Sequence, residues 1–99
     1  MDTIALASDH AGFALKSEIA AELSRLGYAV LDLGTDSDQS VDYPDFGAVL
    51  AEAIGRGEVA SGVLICGTGL GISIAANRYP KVRAVPCSSV TMARLARQH

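Results

Sequence analysis

Apolar and polar positions switch between two periods along the chain. The run TIALAS, Thr3 to Ser8, is apolar without alternation and predicts a strand covered on both faces. In AGFALKSEIAAELSRLG, Leu15, Ile19, Leu23 and Leu26 recur at helical spacing, and Gly27 offers a C-terminal stop. AVLDLG, Ala29 to Gly34, predicts a second strand. The polar loop TDSDQSVD leads to Tyr43-Pro44, and proline suits the first turn of a helix. Phe46, Val49, Leu50, Ala53 and Ile54 supply the apolar stripe of that helix. GVLIC, Gly62 to Cys66, predicts a third strand, followed by a glycine-rich loop and a helix over Ile72 to Asn77. VRAVPC, Val82 to Cys87, predicts a fourth strand, and Ser88 or Ser89 can cap a final helix, Val90 to His99.

Strands alternating with helices imply parallel pairing through right-handed crossovers. The expected fold is a three-layer α/β/α sandwich around a parallel, Rossmann-like sheet of four strands. Residues 1–99 form one domain, with no internal repeat or linker. In such sheets ligands sit beyond the C-terminal strand ends, where the strand order reverses. Those ends carry Asp9-His10, Gly34-Thr35, Cys66 to Gly71 and Cys87-Ser88.

Composition narrows the chemistry. The net charge is −3, from 8 basic and 11 acidic residues, which argues against nucleic-acid binding by phosphate neutralisation. The charge is unevenly spread: residues 1–50 hold nine acids and two bases, and residues 51–99 hold two acids and six bases. A small anion would find its counter-charges in the second half. Arg78, Lys81 and Arg83 read mainly as solvated cations. No apolar run approaches the roughly 18 residues that span a bilayer. The two cysteines, Cys66 and Cys87, lie in no metal-ligand or C-x-x-C spacing, and the chain opens without an apolar signal segment. A cytoplasmic protein with free thiols, no metal and no membrane partner is the expectation.

The loop CGTGLG joins a thiol to Gly67, Gly69 and Gly71, with Thr68 and Leu70 between them. Glycines let a backbone turn its N–H groups toward an anion, and the same field suits a thiolate. The plainer alternative is a tight strand-to-helix turn with a core cysteine. A dinucleotide fingerprint is a poor match, because Ile72 stands where the third glycine is needed. A Walker loop lacks its lysine. A cysteine phosphatase loop fits Cys66 and Ser73, but Ile72 replaces the arginine clamp. An enediolate fits better: a thiolate can take a proton beside a carbonyl while loop N–H groups and the Thr68 hydroxyl hold the oxyanion. Asp9 and His10 suit sugar hydroxyls and acid–base or phosphate contacts, though Asp9 is equally suited to cap a helix. Tyr43 either lines the site or packs at a helix start. Cys87 reads as a core or rim thiol, and His99 by spacing alone is a surface histidine.

The segments ASDHAGFALK, DLGT, DYPDF, GVLICGTGLGISIAANR, VRAVPC and ARLARQH together resemble the ribose-5-phosphate isomerase B family, which also holds allose- and galactose-6-phosphate isomerases. The resemblance implies a cofactor-free and metal-free aldose–ketose isomerase of the pentose phosphate pathway, acting on a sugar phosphate. It implies Cys66 as the base and Thr68 with Gly67, Gly69, Leu70 and Gly71 around the enediolate. It implies Asp9, His10 and Tyr43 as substrate contacts, and His99 as the histidine that opens the sugar ring. It further implies a homodimer or homotetramer with sites at subunit interfaces. Family members continue past the position of His99 into a further strand, a long helix and phosphate-binding arginines. By that resemblance the sequence is expected to be C-terminally incomplete, and the alternative to an isomerase is a non-catalytic phosphate-binding or assembly module that has lost its phosphate clamp.

Overall fold

The computed structural model describes residues 2–98. The element order is β1 (Thr3–Ser8), a 3-10 turn (His10–Gly12), α1 (Phe13–Arg25), β2 (Ala29–Asp32), α2 (Tyr43–Gly55), β3 (Ser61–Ile65), α3 (Leu70–Ala76) and α4 (Val90–Gln98). The strands form one parallel sheet in the order β2-β1-β3. In register, Leu6 of β1 lies between Asp32 of β2 and Val63 of β3.

Side chains alternate across a strand, so β1 faces two layers. Ala5 and Ala7 are fully buried and pack with Leu50 and Ala53 of α2 and with Val59. Leu31, Leu33, Phe46, Ile54 and Leu64 close this core from its margins. Leu6 faces the opposite layer, where α1 lies, and is also fully buried. Small residues on β1 let both layers approach, which is how a chain with no tryptophan fills a sandwich.

Local chemistry sets the element ends. The Asp9 carboxylate accepts from the Gly12 N–H at 3.1 Å and caps the 3-10 turn. Pro44 stands in the first turn of α2 after an extended Asp42. Ser89 Oγ accepts from the Met92 N–H at 3.1 Å, so Ser89 is the serine that caps α4. The α1 face differs from the expected stripe. Leu15 and Leu26 are exposed, and Lys16 is the residue α1 buries, at 2% exposure.

The sheet has three strands, not the four expected. Val82 to Cys87 runs without strand pairing. Pro86 has no N–H to give a ladder. Ala84, mid-segment, has both main-chain groups taken by one side chain. Its N–H donates to Asn77 Oδ1 at 2.7 Å, and its carbonyl accepts from Asn77 Nδ2 at 2.8 Å. The amide of Asn77 thus makes the two bonds a neighbouring strand would have made. A cleft of about 850 Å³ lies between the outer edge of β3 and this segment. Cys87 is exposed rather than in the core. No helix among the described residues is long and apolar enough to cross a membrane.

Candidate active site

The sheet order puts β1 between strands reached in opposite directions, so the switch point lies at the C-terminal ends of β1 and β3. Asp9 follows β1 directly and Cys66 follows β3. The two ends are tied together: the Asp9 N–H donates to the Ile65 carbonyl at 3.2 Å. Asp9 and His10 therefore adjoin the thiol loop.

The loop turns on its own cysteine. The Gly69 N–H donates to Cys66 Sγ at 3.1 Å. Gly69 has φ +80°, a left-handed conformation that glycine adopts without strain. The Leu70 N–H donates to Thr68 Oγ1 at 3.1 Å, so the Thr68 oxygen is engaged and its hydrogen is left to donate. Thr68 and Leu70 are exposed, and Cys66 and Gly69 are half-buried. The Ser73 hydroxyl donates back to the Leu70 carbonyl at 2.8 Å and steadies the first turn of α3.

Asp9 is buried, at 7% exposure. One of its oxygens caps the turn below, so its capping and site roles are compatible. The His10 ring is half-buried, and its Nδ1 accepts from the Val41 N–H at 3.1 Å. Tyr43 packs on the loop from the other side: a Cβ added to Gly71 would fall 2.7 Å from the tyrosine ring. Gly71 thus provides the space that Tyr43 occupies, while Tyr43 itself stays 41% exposed.

The structure brings Asp9, His10, Tyr43, Cys66, Gly67, Thr68, Gly69, Leu70 and Gly71 to this end of the sheet. His99 lies outside the described residues. The large cleft beside β3 reaches the site through Thr68, Gly69 and Leu70, and Lys81, Arg83 and Arg97 line its far side. No group of three His, Cys, Asp or Glu side chains that could hold a metal ion occurs among the described residues.

Sequence spacing missed a polar support behind the site. Lys16 Nζ, buried under α1, meets both oxygens of Asp32 at 2.6 and 2.7 Å. Asp32 also accepts from the Gly34 N–H at 3.0 Å. Burial pushes the Asp32 carboxyl up. The Lys16 hydrogen bond, the Gly34 N–H and the ammonium charge outweigh this and hold it below the usual carboxylate range. Gly34 and Thr35 then bond the end of β1: the Ser8 N–H donates to the Gly34 carbonyl at 2.7 Å, and the Thr35 N–H donates to the Ser8 carbonyl at 2.8 Å. The loop carrying Val41 and Tyr43 is thus fastened where it leaves β2.

Residues 4–99 match the family described as Ribose/Galactose Isomerase. The ribose-5-phosphate isomerase B of Escherichia coli K12 is 52% identical over 99 residues, covering all of this chain and 66% of that protein. The structure of the Clostridium thermocellum ribose-5-phosphate isomerase B superposes with a TM-score of 0.96 at 55% identity, covering 98% of this chain and 66% of that one. The Mycoplasma genitalium ribose-5-phosphate isomerase B, solved with bound ribulose-5-phosphate, gives a TM-score of 0.90 at 41% identity, covering 98% of this chain and 65% of that one. The chain spans about two thirds of the length of these relatives. With its switch-point thiol loop and near-complete match to the family pattern, this chain belongs to the ribose/galactose isomerase family.

Proposed function

We propose that the protein is an aldose–ketose isomerase interconverting ribose 5-phosphate and ribulose 5-phosphate, with Cys66 as the base. The observation that carries this is the Cys66 sulfur held by the Gly69 N–H at the switch point, with Asp9 and His10 on the adjoining strand end. The Cys66 thiolate takes the C2 proton of the open-chain aldose, and the carbonyl π electrons move onto O1. The resulting enediolate is held by the Thr68 O–H and the N–H groups of Gly67 and Gly71. The O2 hydroxyl proton passes to O1, the thiol returns its proton to C1, and the electron pair left on O2 closes the new carbonyl. Atoms and charge balance without an outside oxidant. Asp9 and His10 take sugar oxygens, Tyr43 and Leu70 wall the site, and the family motif assigns ring opening to His99. The bound ribulose-5-phosphate in the Mycoplasma genitalium relative supports a pentose over a hexose phosphate. By the same family likeness the protein is a homodimer or homotetramer of the cytoplasm.

The test is proton NMR of the parent and Cys66→Ala with ribose 5-phosphate in D2O. The parent should build up ketose and carry deuterium into C1 or C2. The alanine variant should lose both by more than about 10²-fold, the usual worth of a positioned base, while still binding substrate. Isomerisation by Cys66→Ala at the parent rate would sink the assignment. Parallel runs with allose 6-phosphate and galactose 6-phosphate decide the sugar.

A further inference from the structure

His10 has two ring nitrogens, and the fold has already committed one. Nδ1 accepts the Val41 N–H at 3.1 Å, across 31 positions of sequence. A nitrogen that accepts an N–H carries no hydrogen of its own, so the neutral ring bears its proton on Nε2. Nε2 has no hydrogen-bond partner among the described residues, and the ring is half-buried beside the thiol loop.

The donor is well fixed. The loop carrying Val41 is held at its start by Asp32, Gly34 and Thr35 against Lys16 and Ser8. Two residues after Val41, Tyr43 begins α2 and packs against Gly71. Val41 therefore reaches His10 from a segment fastened at both ends. An imidazole with a free, unanchored Nδ1 could present either a donor or an acceptor to a ligand. This one presents a donor.

We infer that the main-chain N–H of Val41 fixes His10 as a hydrogen-bond donor through Nε2, so that His10 binds a substrate oxygen and does not accept a proton during the reaction. Val41 is a positioning residue acting through His10. This deepens the isomerase assignment and rests on it for the identity of the ligand.

The experiment is long-range proton–nitrogen NMR of the 15N-histidine-labelled protein near neutral pH, with His10→Gln used to assign the two histidines. His10 should show a protonated Nε2 and a bare Nδ1, and its Nε2 resonance should move when ribose 5-phosphate is added. An Nδ1-protonated or evenly mixed ring, or an Nε2 signal indifferent to the sugar phosphate, overturns the inference. Val41→Pro removes the N–H and should raise KM by about tenfold with kcat little changed, as the loss of one hydrogen bond felt equally by ground and transition states would do. If that variant does not fold, His10→Gln serves, because its side-chain amide can put an N–H near the place of Nε2. Its KM should lie about tenfold below that of His10→Ala, which offers no N–H, whereas loss of a proton acceptor would drop kcat of both variants by about 10²-fold or more. The ring tautomer is read without turnover. Cys66-dependent exchange with the wrong tautomer therefore ends the inference alone, and the stated tautomer without any exchange ends the isomerase assignment.

Discussion

A methyl group at Gly71 would meet the Tyr43 ring at 2.7 Å, closer than real side chains pack. Gly71→Ala should therefore displace the tyrosine at a cost of about 1 kcal/mol, below a core clash because the contact falls on the far end of a side chain that is 41% exposed. Tyr43→Ala removes the obstacle, so the double variant should recover part of that loss. A coupling above about 0.5 kcal/mol in urea unfolding of the four proteins is expected, and simple additivity would count against the contact. The tight turn of this loop was readable from CGTGLG, because three glycines in five residues suit a backbone that reverses after a strand. The partner of Gly71 was not readable. A glycine says that something comes close, not which residue does. The tyrosine that fills the space lies in another segment, and DYP fits a plain helix start as well as a site wall.

Between α1 and β2 the fold places one buried cation against one half-exposed carboxylate. Lys16 is 2% exposed, and the Asp32 side chain is 53% exposed. Asp32→Asn would leave the ammonium buried beside a neutral amide. The expected cost is about 2–3 kcal/mol, the low end or below for breaking a buried pair, since water reaches Asp32. Lys16→Met removes the charge along with its need for a partner and should cost less. Guanidinium unfolding of both variants tests the order, and equal or reversed costs would refute it. The Asp32 carboxyl is depressed in the folded protein, so its contribution is complete above the unfolded carboxylate value of about 3.9. It is lost as pH falls below about 4 through the lower folded value. Asp32→Asn should lack that part of the acid sensitivity in unfolding midpoints measured from pH 6 down to about 2.5. The helices and three strands were legible because apolar runs and 3.6-residue spacing survive into the fold. The buried face of α1 was not. Its leucines suggested a stripe through Leu15 and Leu26, but an ion pair with Asp32, 16 positions away, draws Lys16 inward instead.

Across the whole molecule, the outer side of β3 is where expectation and structure part. VRAVPC has strand composition, yet Asn77 holds both main-chain groups of Ala84. Propensity cannot register a side chain that competes for the same donors and acceptors. Asn77→Ala should speed amide exchange at Ala84 by about fivefold or more, the worth of about one hydrogen bond. Unchanged exchange would mean that something else holds the segment. The contact between Val41 and His10 was equally invisible, because main-chain donors leave no mark on residue type. That contact spans 31 positions of sequence, and the bond from Asp9 to Ile65 joins the end of β1 to the end of β3. Both sides of the candidate site are therefore closed by non-local pairing. The site is a property of the folded sheet and cannot be excised as any one segment: a peptide holding the thiol loop, or one holding Asp9 and His10, carries half of an arrangement that exists only when the strands are paired.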